Sequence, residues 1–173
     1  MRYARTVQVF LIRHAEAVDE TVELRDPYRH LTPHGRAQAR ALGDRLRWHD
    51  CGPTRLWSSP LVRALQTAEL VTAQIGGDIG VEVLPGLAPD GDVRDVVARV
   101  RSQATDAEVM LVGHEPSISA IAALLANERD FPALGKAEAV RLDDGHGAPG
   151  APHAMTTRWR FAWDAEAPAT RTR

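Results

Sequence analysis

VQVFLIRHAEA, the stretch Val7–Ala17, decides the fold of this chain. Its first half is a run of large apolar residues, which is typical of a strand buried on both faces of a sheet. The run ends abruptly at Arg13 and His14. Ligands of open α/β sheets bind just beyond the carboxyl ends of the strands. The stretch therefore predicts a central strand with a guanidinium and an imidazole at its functional end, although such a pair can also mark only the point where a core strand meets solvent.

A second buried strand is predicted at Glu108–Gly113, and it ends in the same way, in His114. If the two strands are parallel neighbours, both histidines emerge at one edge of the sheet. A helix is predicted over Leu61–Ile75, with Ser59 as its N-cap and a proline at the first helical position. Arg63 lies in its first turn, where free backbone N–H groups already favour an anion.

The rest of the chain alternates between helical and strand patterns. Further helices are predicted from Pro33, with Thr32 as N-cap, at Val93–Gln103, with Asp92 as N-cap, and at Ile118–Ala126. Further strands are predicted at Arg55–Ser58, Val81–Leu84, Ala137–Leu142 and Thr156–Trp163. This alternation indicates an α/β fold in three layers, with a mostly parallel central sheet and helices on both faces. Residues 1–163 are expected to form one domain, and the polar residues 164–173 a frayed tail.

Composition narrows the class of protein. The 173 residues carry a net charge of −2, with 44% hydrophobic and 25% charged residues, which is ordinary for a soluble globular domain. This charge gives no reason to expect a nucleic acid or a membrane as partner. Cys51 is the single cysteine, so the chain can form no internal disulfide and no cysteine-based metal cluster, and a cytoplasmic location is expected.

The residues predicted at the sheet edge suit phosphoryl transfer. They are two guanidiniums, Arg13 and Arg63, and two imidazoles, His14 and His114, without the carboxylates or cysteines of a metal site. Arginine holds phosphate oxygens through its planar fork. A histidine nitrogen can attack phosphorus and form a covalent intermediate. These residue types predict phosphoryl chemistry with no metal and no cofactor.

Three motifs, LIRHAEA, SSPLVRALQTAEL and LVGHEP, resemble those of the histidine phosphatase superfamily, which has the phosphoglycerate mutase-like fold. The resemblance spans roughly residues 6–125, and the short chain and its LAPDGDV stretch look most like the SixA-type phosphohistidine phosphatases. It implies that His14 is the nucleophile, that Arg13 and Arg63 clamp the phosphoryl oxygens, and that His114 donates a hydrogen bond to the same group. The implied partner is a phosphorylated substrate, either protein phosphohistidine or a small phosphate ester, with inorganic phosphate as product. Ala15 replaces the family's usual glycine.

The proton donor is the open question. Many superfamily members carry a glutamate in the loop after the third strand, where this chain has Leu87-Ala88-Pro89. The acid phosphatase branch instead uses an aspartate directly after the second histidine, and Glu115 occupies that position. Glu115 is therefore the leading candidate, although it could also cap the following helix. Asp90, Glu16 and Asp92 are further candidates, Asp92 also being an ordinary helix cap.

The missing loop glutamate also bears on the substrate. Expelling an alkoxide from a phosphate ester requires a proton more urgently than expelling an imidazole, because free imidazole is a much weaker base, with a pKa of ~6.5. A phosphohistidine substrate is the leading hypothesis. The alternatives are a small-molecule phosphomonoesterase, a mutase, which the short chain disfavours, and a phosphate-binding module with weak turnover.

Overall fold

The computed structural model describes residues 6–104, 106–144 and 154–166. In chain order its strands are β1 (Gln8–Arg13), β2 (Arg55–Ser58), β3 (Val81–Val83), β4 (Glu108–Gly113), β5 (Glu138–Asp144) and β6 (Met155–Ala162), and its α-helices are α1 (Pro33–Trp48), α2 (Val62–Ile75), α3 (Val93–Arg101) and α4 (Ser117–Ala126). These bounds agree with the predicted ones or differ by one or two residues. The strands form one sheet in the order β3-β2-β4-β1-β5-β6. The first four are parallel, and β5 and β6 are added antiparallel, as expected for a mostly parallel sheet.

The side chains of β1 alternate between the two faces of the sheet. Val9 and Leu11 join a core cluster that includes residues of α3 and α4, whereas Phe10 and Ile12 join a second cluster with α1 and α2. All four are completely buried. Because helices cover both faces, neither face of the strand centre tolerates polar side chains, which is why residues 9–12 are all apolar. Replacing Phe10 by alanine would cost about 3–5 kcal/mol.

Parallel pairing brings three strand ends to one edge of the sheet. β1 pairs with β4 so that Arg13 lies opposite Gly113. The next amide, of His14, donates to the carbonyl of Gly113 at 3.0 Å. On the other side of β4, the amide of Ser59 donates to the carbonyl of Val112 at 3.0 Å. The predicted neighbourhood of the two buried strands is therefore confirmed.

Of the four α-helices in the described part of the chain, α1 and α3 begin at a side-chain cap, whereas α2 and α4 have none. Thr32 caps α1 as predicted, accepting from the amide of Gly35, and Asp92 caps α3. The predicted N-cap of α2 is wrong. That helix begins at Val62 after Leu61, with no side-chain cap. The hydroxyl of Ser59 is instead hydrogen-bonded to a histidine of the site.

Two further sequence predictions concern the C-terminal tail and the extent of the domain. After β6 the chain turns at Trp163 and Asp164, and the amide of Ala165 donates to the carbonyl of Ala162 at 3.1 Å. The rest of the predicted tail, residues 167–173, lies outside the described residues, and the single-domain boundary stays a prediction. Among the described helices, none has the length and apolar character needed to cross a membrane.

Candidate active site

The structure brings His14, His114 and Arg63 together at the carboxyl edge of the sheet. The centroids of the two imidazole rings are 5.0 Å apart. Arg63, from the first turn of α2, donates from Nε to Nε2 of His14 at 3.2 Å. All three side chains are buried. Three of the predicted site residues, from three distant segments, thus form one buried polar cluster.

His14 is held in the protonation state that a nucleophile needs. Its Nδ1 lies 2.7 Å from the carbonyl oxygen of Ala15. Because a carbonyl can only accept, Nδ1 carries the proton and Nε2 keeps its lone pair. Burial, together with the charges of Arg63 and Arg13, lowers the pKa of His14 to about 4. The imidazole is therefore neutral at pH 7, with its nucleophilic nitrogen beside a guanidinium.

His114 is oriented as a hydrogen-bond donor. Its Nε2 lies 2.7 Å from Oγ of Ser59, and this hydroxyl oxygen accepts from the amide of Leu61 at 3.3 Å. The hydroxyl proton can then point to Nε2, which leaves the other proton on Nδ1. Burial, followed by the proximity of His14 and Arg63, lowers the pKa of His114 to about 3. Its neutral ring offers Nδ1–H to a ligand.

Two buried N–H groups at this edge have no protein partner among the described residues. They are Nδ1 of His114 and Nε of Arg13. Buried donors are rarely left unpaired, and functional sites are the usual exception. Arg13 is otherwise anchored, because its Nη1 donates to the carbonyl of Leu134 at 2.9 Å. An oxyanion between these groups would satisfy both.

Glu115 binds the backbone of the same residue, Leu134, at the amide. One carboxylate oxygen accepts from the amide of Leu134 at 2.8 Å, and the other accepts from the hydroxyl of Ser119 at 2.7 Å. Neither bond involves a backbone amide of α4, so the alternative role as a cap of that helix is not realised. Glu115 instead fixes the backbone of Leu134, the residue whose carbonyl anchors Arg13. Its role as proton donor stays a prediction.

The other candidate proton donors lie in different settings. Glu16 accepts from the hydroxyl of Thr32 at 2.6 Å and so steadies the start of α1. Asp92 accepts from the amides of Arg94 and Asp95 at the start of α3. Asp90 is exposed in the turn before α3. Glu16 and Asp92 therefore have structural roles that account for their presence.

Sequence reasoning missed two residues of the charged segment 18–31. Asp26 lies in a short 3-10 turn, where its carbonyl accepts from Nη1 of Arg63 at 2.9 Å and its carboxylate oxygen Oδ2 lies 3.3 Å from Nη2. Nη1 of Arg29 donates to Oδ1 of Asp26 at 2.9 Å. Burial opposes ionisation of Asp26, but the hydrogen bond from Arg29 and the charge of Arg63 outweigh it and lower its pKa. The positive charge of Arg29 also lowers the pKa of His14.

No sequence pattern singles out this pair. The segment has no helical or strand period, and its contact with Arg63 joins residues 37 positions apart. Its position over the end of β1 was the only feature that pointed to a role at the site.

The described residues contain no group of three or more His, Cys, Asp or Glu side chains that could hold a metal ion. Cys51 is buried, and this burial raises the pKa of its thiol to about 12. The thiol is therefore protonated at neutral pH and is a poor nucleophile.

Comparison with known proteins gives a consistent picture. The family model of the histidine phosphatase superfamily (branch 1) matches residues 9–88. The phosphohistidine phosphatase SixA of Escherichia coli K12 is 32% identical over 121 residues, which cover 69% of this chain and 74% of that protein. An uncharacterized protein of Picosynechococcus sp. is also 32% identical, over 124 residues that cover 69% of this chain and 73% of the relative.

The solved structures agree. The protein histidine phosphatase SixA complexed with tungstate superimposes with a TM-score of 0.80 at 26% identity, over 90% of this chain and 97% of that one. This chain therefore belongs to the histidine phosphatase superfamily, resembles its SixA-type members, and is a phosphatase of the histidine-nucleophile class.

Proposed function

We propose that this phosphatase hydrolyses phosphohistidine carried by a protein, through a covalent phosphoryl intermediate on His14 and without a metal ion. The observation that carries the proposal is the geometry of His14. Its Nδ1 is hydrogen-bonded to the carbonyl of Ala15, and its Nε2 lies 3.2 Å from Nε of Arg63. The lone pair that attacks is thus placed beside a group that binds phosphoryl oxygens.

In the first step, Nε2 of His14 attacks phosphorus in line with the leaving group. The new P–N bond forms as the bond to the leaving group breaks, and the electron pair of that bond departs with the leaving group. Arg13, Arg63 and Nδ1–H of His114 face the equatorial oxygens, where charge accumulates in the transition state. The phosphorylated ring becomes cationic, and the carbonyl of Ala15 stabilises it through Nδ1–H.

In the second step, water attacks the phosphorus of the intermediate. The P–N bond to His14 breaks, its electron pair returns to Nε2, and phosphate leaves with the oxygen and both protons of the water molecule. The same donors serve both steps, because each step passes through a similar arrangement of three equatorial oxygens. Splitting one displacement into two is the advantage of covalent catalysis.

Two features support a phosphohistidine substrate over an alkyl ester. Ala88, at the position of the family's loop glutamate, is buried and has no proton to give. Imidazole is a better leaving group than an alkoxide, so it depends less on a strong proton donor. The similar SixA proteins are themselves named for phosphohistidine or protein histidine phosphatase activity. A small phosphate ester is the alternative substrate.

A trapping experiment tests the covalent step. Rapid quenching of the enzyme with a ³²P-labelled phosphohistidine protein should label His14, with an acid-labile and base-stable bond. The variant His14→Ala should show no label and no turnover. The matched control His30→Ala removes an exposed histidine and should keep both. Turnover by His14→Ala would overturn the mechanism.

A substrate screen tests the specificity and the metal independence. Phosphohistidine peptides, phosphoserine peptides, sugar phosphates, nucleotides and lipid phosphates are compared, each with and without EDTA. We expect the highest kcat/KM for phosphohistidine and no effect of EDTA. A higher kcat/KM for a small ester would favour the alternative substrate, and loss of activity with EDTA would contradict metal independence. A cytoplasmic location is part of the same proposal.

A further inference from the structure

Arg13 is bound to a peptide group whose other side is held by a carboxylate. Nη1 of Arg13 donates to the carbonyl of Leu134 at 2.9 Å. The amide of the same peptide group belongs to Gly135, and it donates to the carboxylate of Glu138. Residues 131–135 form neither helix nor strand, so no ladder of backbone hydrogen bonds orients this group. Because a peptide group is planar, holding its N–H also fixes the direction of the carbonyl that Arg13 binds.

The preceding peptide group is held from both sides as well. Its carbonyl, that of Ala133, accepts from Nη2 of Arg160 at 2.6 Å. Its amide, that of Leu134, donates to the carboxylate of Glu115 at 2.8 Å. Nη1 of Arg160 also donates to the carbonyl of Pro132 at 3.0 Å. Arg160, which lies on β6, thus fixes the chain immediately before the residue that anchors the site.

Arg160 and Glu138 form an ion pair that joins the two supports. The carboxylate of Glu138 accepts from Nε of Arg160 and from Nη2 of the same guanidinium, the latter at 3.1 Å. Burial opposes ionisation of Glu138, but the hydrogen bonds from Arg160 and from the amide of Gly135 outweigh it and lower its pKa. The pair is therefore charged at pH 7, and charge-assisted hydrogen bonds are stronger than neutral ones. Arg160 is the common partner of both peptide groups, directly at one and through Glu138 at the other.

We propose that Arg160 is a positioning residue for phosphoryl binding, because it orients the two peptide groups that hold Arg13. This inference rests on the role of Arg13 in the proposed function. Nε of Arg13 is buried and has no partner among the described residues, and a phosphoryl oxygen would satisfy it. The direction of this N–H depends on how the guanidinium is anchored. Arg160 therefore acts on the anion through Arg13, and a double-mutant cycle can measure this coupling.

The test measures the Kd for inorganic phosphate by isothermal titration calorimetry, in which the fitted stoichiometry absorbs any unfolded fraction. The wild type, Arg160→Met, Arg13→Met and the double variant are compared. Methionine keeps an apolar stem but has no N–H donor. We expect the Kd to rise about fivefold in Arg160→Met and about ten- to hundredfold in Arg13→Met, the effects of weakening one hydrogen bond and of removing a charged one. In the double variant, Arg160→Met should add nothing to the effect of Arg13→Met.

Arg158→Met is the matched control. Arg158 lies on the same strand, β6, but its guanidinium pairs with Asp143 at 3.3 Å, so its loss should leave the Kd for phosphate unchanged. Arg160→Lys keeps the charge and only part of the hydrogen bonds, and should give a smaller rise than Arg160→Met. If Arg160→Met does not fold, the same cycle is run with Arg160→Lys.

Three results would overturn the proposal. They are a wild-type Kd in Arg160→Met, an equal rise in Arg158→Met, and a rise of the same size with and without Arg13, which would indicate a general structural effect. A wild-type Kd in Arg13→Met would remove the proposed role of Arg13 and this inference with it. Phosphate is common to all candidate substrates, so a preference for a small ester would change the proposed function and leave the inference standing.

Discussion

Acidification from pH 7 to pH 5 is expected to destabilise the folded protein through its two buried imidazoles. The pKa of His14 is lowered to about 4 and that of His114 to about 3, whereas both titrate near 6.5 in the unfolded chain. Between these values the unfolded chain binds protons that the folded chain does not. The free energy of unfolding therefore falls as the pH falls. From pH 7 to pH 5 the loss is about 2 kcal/mol for each histidine.

Urea unfolding at pH 7 and pH 5 measures this loss. His14→Gln and His114→Gln should each reduce the pH-dependent loss by about 2 kcal/mol relative to the wild type. His30→Gln removes an exposed histidine and should leave the loss unchanged. Burial also lowers the pKa of His49 and raises that of Glu108, but both contributions are common to all variants and cancel in the comparison. The same loss in His114→Gln as in the wild type would refute the reasoning.

Three further substitutions probe the site and its supports. Ser59→Ala removes the hydroxyl that sets the tautomer of His114, so kcat should fall about tenfold. Ser59→Thr should restore kcat, and an unchanged kcat in Ser59→Ala would contradict this role. Glu115→Gln should lower kcat/KM about equally for substrates with good and poor leaving groups, because both carboxylate oxygens are engaged in positioning; a larger loss with poor leaving groups would identify a proton donor. Gly35→Ala places a Cβ 1.9 Å from a backbone carbonyl oxygen and should lower the free energy of unfolding by about 2–4 kcal/mol. Gly52→Ala is the control, because its added Cβ would have its nearest atom at 3.9 Å. Both variants are measured by urea unfolding, and equal stability of the two would contradict the predicted clash.

The features that could be predicted from sequence are those fixed by local chemistry. The apolar runs of β1 and β4 required burial on two faces, and two buried parallel strands are natural neighbours. Their ends therefore had to place His14 and His114 at one edge. Thr32 and Asp92 predicted the starts of the helices that they cap, because a side-chain oxygen at the N-cap accepts from free backbone amides within the next three residues.

The features that could not be predicted depend on contacts between distant segments. Ser59 matched the N-cap pattern, but its hydroxyl is hydrogen-bonded to His114, 55 positions away, and the helix starts later. Glu115 matched the pattern of a helix cap, but its carboxylate accepts from the amide of Leu134, 19 positions away. Asp26 lies in a segment without periodicity, so nothing in the sequence linked it to Arg63.

The strand order has a consequence for how the enzyme forms. β4 lies between β1 and β2 in the sheet, so a nascent chain cannot close the gap between its two earlier strands until Gly113 has been made. Long-range parallel pairing of this kind is slow, because loop closure must precede any gain from contact. The pocket is consequently assembled late, and a chain truncated before β4 would carry the nucleophile without its catalytic partner.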